Sequence, residues 1–98
     1  MTLSTILEAI AAEIETARPN ERLRNDQIDR IERLLLEMGE FPGLRGEMQR
    51  LLAKSLAVHR ARNGRGSAPG IALAYDHVVT AWDMLYPEMT AIEDRVVA

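Results

Sequence analysis

The sequence lacks cysteine and has only four aromatic residues, one Trp, two Tyr and one Phe. Without cysteine the chain has no disulfide framework and no thiolate for metal binding or nucleophilic catalysis, which suits a reducing compartment. No apolar run approaches the ~18 residues of a membrane span, and the first residues lack the basic start and continuous apolar run of a secretion signal. We therefore expect a cytoplasmic protein without a membrane partner.

Alternating apolar residues, the pattern typical of strands, are nearly absent, because the apolar residues recur at spacings of three and four. The chain has 98 residues, well below the length at which chains usually divide, so we predict one helical domain over residues 1–98. The core of so short a chain is thin, and association of two copies would thicken it.

The charge of the protein is small in total and uneven along the chain. A net charge of -3 disfavours broad affinity for nucleic acid or an anionic membrane. Residues 1–17 carry three acids and no base, residues 41–66 carry six bases and one acid, and residues 67–98 carry five acids and one base. We interpret this as a basic helix that packs beside acidic helices of its own bundle.

Two amphipathic helices are predicted in the first half of the chain. The apolar stripe of the first consists of Leu3, Ile6, Leu7, Ile10, Ala11 and Ile14. Ser4 or Thr5 is expected to supply its N-cap, and Pro19 to end it. The apolar positions of the second are Ile28, Ile31, Leu34, Leu35 and Met38. This helix begins either at Asn20 or at Asn25, and Gly39 ends it.

The stretch "GEFPG", residues 39–43, predicts a turn before a third helix. The apolar face of that helix consists of Leu44, Met48, Leu51, Leu52, Ser55 and Leu56. Gly46 weakens its first turn by up to ~1 kcal/mol relative to alanine, which favours a start after Gly46. We expect the helix to end near Arg62, with Asn63 and Gly64 in the left-handed conformation that closes helices.

The last segment carries a heptad pattern, which we call the C-terminal seam. Its members are Ile71, Tyr75, Val78, Trp82, Leu85, Met89, Ile92 and Val96. Because the pattern continues past Pro87, we predict one long helix that is kinked there and not broken. A helix from about residue 69 to 97 would be ~42 Å long, and we expect the three shorter helices to leave its end uncovered, with Met89, Ile92, Val96 and Val97 exposed. The seam is therefore the predicted interface of a homodimer or of a protein partner.

The stretch "HRARNGRGSAPG", residues 59–70, has two interpretations. The first is an ordinary turn between helices, in which Ser67 caps the last helix. The second is an anion site formed by Arg60, Arg62, Arg65 and Ser67, because arginines and free backbone N–H groups bind phosphate. We favour the turn and keep the anion site as the alternative. Stacking aromatics for nucleic acid are missing nearby.

The two histidines do not suggest a cofactor. We expect His59 to bond the last carbonyls of its helix and His77 to make a polar contact across a helix interface. A di-iron bundle needs Glu three residues before each histidine, and Leu56 and Ala74 occupy those positions. We predict no metal and no cofactor, and no nucleophile motif marks an enzyme.

The sequence thus predicts an all-α antiparallel bundle of three amphipathic helices and a long, kinked C-terminal helix, forming a homodimer. The function that we expect is that of a small non-catalytic interaction or regulatory protein, which binds a protein partner. The alternative is a binder of nucleic acid or a phosphorylated ligand through Arg60, Arg62 and Arg65.

Overall fold

The computed structural model of the protein describes residues 2–39 and 43–97, with side chains at all of these except 44, 45 and 93–97. The helices are α1 (Leu3–Ala17), α2 (Asn25–Met38), α3 (Leu44–Arg65) and α4 (Ala68–Val97). The described residues contain no strand, so the all-α class is confirmed. Most of the turn predicted at 39–43 lies outside the described residues.

Helix α1 begins earlier than its predicted cap. Thr2 is the N-cap, and its Oγ1 accepts a hydrogen bond from the backbone N–H of Thr5 at 3.2 Å. The prediction of Ser4 or Thr5 was wrong because a hydroxyl is present two positions nearer the start, where it reaches the first free N–H groups. Pro19 lies in a single 3-10 turn, Arg18–Asn20, which ends the helix as expected.

Helix α2 starts at Asn25, so the shorter of the two predicted helices is confirmed. Leu23 lies outside the helix and is nevertheless fully buried. Gly39 follows the helix with a φ of 80°, a conformation that glycine adopts without steric cost.

Helix α3 is longer than predicted at both ends. It includes Gly46 near its start and continues through Asn63 and Gly64 to Arg65, so neither of those two residues is left-handed. The chain leaves the helix at Gly66, whose φ is -86°. Helix α4 runs without a break through Pro87, which confirms a continuous helix. A kink at Pro87 stays a prediction.

The four helices occupy the corners of a square. In the described part of the chain, α1 and α3 each pack against both α2 and α4, while the backbones of the pairs α1–α3 and α2–α4 do not approach each other closely. Gly66 and Ser67 alone connect α3 to α4, so these two helices run antiparallel. The ring centre of His59 on α3 lies 6.3 Å from that of Tyr75 on α4.

All four helices contribute to one core. Its fully buried members include Ile10, Ile14, Ile28, Ile31, Leu52, Leu56, Val78, Leu85 and Met89. The molecule measures 46 × 24 × 18 Å, and its long dimension matches the length of α4. None of the described helices is long and apolar enough to cross a membrane.

Candidate functional site

The basic segment of residues 59–70 is mostly the last turns of α3. Gly66 and Ser67 form the connection, and Ser67 Oγ accepts a hydrogen bond from the backbone N–H of Gly70 at 3.3 Å. The predicted role of Ser67 as the cap of the last helix is therefore confirmed. The helix continues to Arg65 because Gly64 stays helical, so the four proposed anion ligands lie along a helix and its cap.

Arg60, a member of the predicted anion site, is already paired with carboxylates of its own chain. One nitrogen of its guanidinium donates to Asp29 Oδ1 at 2.6 Å and to a carboxylate oxygen of Glu32, both on α2. These two carboxylates raise the pKa of Arg60 above its usual value. The pairing confirms, for this residue, that the basic helix packs beside acidic positions of its own bundle.

Arg62 and Arg65 remain exposed, and neither makes an ion pair or hydrogen bond with a described residue. The same holds for Arg50 and Lys54, which lie earlier on α3 and are exposed as well. Four basic side chains of one helix therefore face solvent without an internal counter-charge. The sequence pattern pointed to only two of them, Arg62 and Arg65.

His59 has a different role from the one predicted. It is fully buried, and its Nε2 accepts a hydrogen bond from the backbone N–H of Leu23 at 2.9 Å. The ring is therefore neutral and carries its proton on Nδ1, which has no partner among the described residues. The expectation that His59 bonds helix carbonyls was wrong, because the connection between α1 and α2 passes over its ring.

Burial lowers the pKa of His59 below its usual value, and the positive charge of Arg22 lowers it further. Protonation would place a hydrogen on Nε2 and turn the acceptor of the Leu23 N–H into a second donor. The histidine therefore supports the fold in its neutral form.

Asn63 completes the contact that His59 begins. Its Nδ2 donates to the carbonyl of Leu23 at 2.8 Å, and its Oδ1 accepts from Arg22 Nε at 3.1 Å. Side chains of α3 thus satisfy both backbone polar groups of a buried residue that belongs to no helix. The four-residue spacing of His59 and Asn63 puts both on one face of α3, a signal that the sequence contained and that we did not use.

A polar cleft of 530 Å³ lies beside this contact. Its lining residues are Thr16, Ala17, Asn20, Arg22, Arg24, Asn25, Gln27 and Asn63. Both of its arginines are already engaged, since Arg22 bonds Asn63 and Arg24 bonds Asp26. The cleft therefore offers no obvious free charge to a ligand.

The C-terminal seam lies mainly inside the protein's own core. Five of its members are buried there, namely Tyr75, Val78, Trp82, Leu85 and Met89. The expectation that the shorter helices leave Met89 uncovered was wrong, because Met89 is fully buried within the single chain. Ile71 and Ile92 are half-buried, and the side chain of Val96 lies outside the described residues.

The buried seam residues have partners within the chain. The hydroxyl of Tyr75 donates to the carbonyl of Ile14 on α1 at 2.7 Å, and the ring of Trp82 lies 5.5 Å from that of Tyr86. These contacts give the two aromatic residues of the seam a structural role, and a groove for a partner helix at Tyr75 and Trp82 would need the core to open.

The exposed large apolar residues lie elsewhere: Leu36 on α2, Tyr86 on α4, and four others on α3 and α4. Leu51 and Val58 on α3 are 42% and 44% exposed, and Leu73 and Met84 on α4 are 58% and 46% exposed. We call the outward side of α3 and α4 that carries these four residues the α3–α4 face. It also includes the exposed bases of α3 and the exposed acids Asp76 and Asp83 of α4.

His77 lies on the α3–α4 face and is exposed. It makes no hydrogen bond with a described residue, so the predicted contact across a helix interface is not present within the chain. The described residues contain no group of three His, Asp or Glu side chains that could hold a metal ion.

The chain matches no family model, no curated protein and no solved structure.

Proposed function

We propose that the protein is a small non-catalytic interaction protein with a regulatory role, which acts as a homodimer and binds a protein partner, and that the α3–α4 face is one of its interaction surfaces. The observation that carries this proposal is the exposure of Leu51, Val58, Leu73 and Met84 on one side of the bundle. They are not members of the buried core, so they contribute less to the stability of the single chain than the core residues do. Clustered apolar surface of this kind is typical of interaction sites.

The contacts of two ionisable side chains support a non-catalytic role. His59 is buried as an acceptor for the backbone, and Arg60 is bound by two carboxylates. Both residues thus stabilise the bundle through contacts within the chain.

Site-specific photo-crosslinking in the native host tests this proposal. A photoreactive residue replaces Leu73, Val58 or, as the control, Leu36, which is the most exposed large apolar residue of the described chain and lies on α2. We expect protein adducts from positions 58 and 73 and none from position 36. Equal adducts at all three positions, or no adduct at 58 and 73, would contradict the proposal.

Binding of nucleic acid or a phosphorylated ligand is the second candidate. It is favoured by the four exposed and unpaired bases of α3, although Arg60 no longer belongs to the set. Replacing Arg62 and Arg65 by alanine should abolish any retention on heparin or an oligonucleotide, and the salt dependence of binding should count the phosphate contacts. Arg33→Ala is the control, since Arg33 is an exposed base on α2. Retention that survives the double substitution would exclude this site.

A further inference from the structure

We infer that the α3–α4 face binds the α3–α4 face of a second copy, through a two-fold axis that runs parallel to α3 and α4. This inference rests on the proposed function and specifies the geometry of its homodimer. It follows from the order in which basic, apolar and acidic side chains cross the face.

On α3, Arg60 marks the side toward α2, because its guanidinium bonds Asp29 and Glu32. Val58 is two residues from Arg60 and Leu51 is nine, so at about 100° per residue both point away from α2 and out of the α3–α4 face. A mainly basic row runs beside them along the outer side of the helix, with members Glu47, Arg50, Lys54, Ala61 and Arg65. Apolar residues thus lie near the middle of the face, next to Arg62, and the other bases lie at its α3 edge.

On α4, Tyr75 marks the side toward α1, because its hydroxyl bonds the carbonyl of Ile14. Leu73 is two residues from Tyr75 and Met84 is nine, so both point away from α1 by the same reasoning. With His77 and Thr80 they form an exposed row that contains no acid, lysine or arginine.

Two acids of α4 lie at the outer edge of the face. Asp76 and Asp83 are seven residues apart and both are exposed. Asp76 lines a surface cleft with Arg18, and the charge of Asp83 acts on Arg18, so both acids lie on the α1 side of α4. The face therefore has a basic edge on α3, an apolar centre and an acidic edge on α4.

Such an order selects one of the two symmetric ways to pair the face with itself. An axis in the interface and parallel to the helices places the basic edge of each copy on the acidic edge of the other. An axis in the interface and perpendicular to the helices places bases on bases and acids on acids, which is repulsive. The favoured dimer has α3 of one copy antiparallel to α4 of its partner.

The levels of the charges along the helices agree with this pairing. The rings of His59 and Tyr75 meet, so these residues are at the same height in antiparallel helices. Asp83 is eight residues after Tyr75 on α4. It is therefore level with the position eight residues before His59 on α3, which lies between Arg50 and Lys54. Asp76 is level with Val58, four residues or about 6 Å from both Lys54 and Arg62. An axis parallel to the helices preserves these heights, so each acid meets bases of the partner copy.

The size of the face sets the strength of the dimer. Two helices about 10 Å wide, with charges spread over about 22 Å, present about 440 Å² per copy and about 900 Å² for the pair, at the low end for specific complexes. We therefore expect a reversible dimer whose population rises with protein concentration and falls with salt.

The single lysine of the chain, Lys54, provides a direct test. An equal mixture of ¹⁵N-labelled and unlabelled protein is treated with a zero-length carbodiimide, which joins amines to carboxylates, and the cross-linked peptides are weighed by mass spectrometry. We expect mixed-label peptides that join Lys54 to Asp83 or to Asp76. Their absence at concentrations where sedimentation detects a dimer would overturn the inferred axis.

Charge reversal tests the same contact without cross-linking. Lys54→Glu and Asp83→Lys should each raise the dimer dissociation constant by at least about tenfold, because each puts like charges together in both halves of the interface. The double variant Lys54→Glu/Asp83→Lys should recover most of the loss, and Arg33→Glu on α2 should leave the constant unchanged. Circular dichroism verifies that each variant is folded.

The outcomes separate this inference from the proposed function. A wild type that stays monomeric at the highest attainable concentration overturns the dimer. If photo-crosslinks from position 73 then reach a different protein, the α3–α4 face is still an interaction site. If they reach no protein, both proposals fail. The wild type could also be monomeric and bind an oligonucleotide. If Lys54→Glu abolishes that binding, the basic row is assigned to nucleic acid instead.

Discussion

The two sides of α3 carry similar residues with different partners. Leu56 is fully buried in the core, and Val58, two residues on, is 44% exposed. Arg60 is bound by two carboxylates of α2, and Arg62, again two residues on, has no partner among the described side chains. Two residues correspond to about 200° around a helix, so each pair divides between the inner and the outer side.

The difference shows that residue type alone did not reveal which side of α3 is free. An apolar or arginine side chain stabilises the bundle when it lies on the inner side of α3. The same type of side chain is free to contact a partner when it lies on the outer side. The position of α2 determines which side of α3 is free, since the α2 carboxylates Asp29 and Glu32 pair with Arg60. Three matched substitutions on α3 and α4 test this division.

The largest effect is expected from Leu56→Ala. Removing a fully buried leucine side chain leaves a cavity, so the free energy of unfolding should fall by about 2–5 kcal/mol. The matched variant Val58→Ala should change it by less than about 0.5 kcal/mol, because its side chain is half in water in the single chain. Urea unfolding of dilute protein measures both, and equal losses would show that the two positions are not on opposite sides.

The second effect concerns the two histidines. His59→Leu removes the acceptor for the buried N–H of Leu23 and should cost about 1–3 kcal/mol near pH 7.5. His77→Leu, at an exposed position, should cost less than about 0.5 kcal/mol. If the two variants unfold at the same urea concentration, the contact between His59 and Leu23 does not stabilise the fold.

The pH dependence of the same variants has a definite sign. Because the pKa of His59 is lowered in the folded state from 6.5, the unfolded chain binds the proton first as the pH falls. The contribution of His59 is therefore complete above about pH 6.5 and decreases below it. The stability difference between the wild type and His59→Leu should narrow from pH 7.5 to pH 5.5. The carboxylates of Glu15 and Asp26, whose pKa values are also lowered, titrate alike in both proteins.

Periodicity predicted the helices well because each has an apolar stripe that must be buried. Pro19 and Gly39 lie at helix ends as their residue types predict. The heptad pattern correctly predicted that α4 continues through Pro87. Helix ends were less predictable where two polar residues compete: Thr2 caps α1 in place of Ser4, and Asn63 stays helical because its side chain binds Leu23.

The candidate site was less predictable, because it depends on which helices are neighbours. The eight-residue seam was recognised as apolar, but its assignment to a partner assumed that three short helices could not cover it. The square arrangement buries it as far as Met89. The α3–α4 face appears only when α2 and α1 fix the orientation of Arg60 and Tyr75.

The smallest effect, and the most direct test of the division of α3, is the comparison of Arg60→Gln with Arg62→Gln. The side chain of Arg60 is 36% exposed, so water and salt screen its pairs with Asp29 and Glu32, and their loss should lower the free energy of unfolding by about 0.2–1 kcal/mol. Arg62→Gln has no described pair to lose and should unfold like the wild type. In 1 M sodium chloride the deficit of Arg60→Gln should shrink, because the Debye length falls to about 3 Å. Thermal unfolding of dilute protein at both salt concentrations measures the difference. Should Arg62→Gln prove as destabilising as Arg60→Gln, Arg62 would be part of the folded monomer's own charge balance, and the division of α3 into a paired and a free side would lose its support.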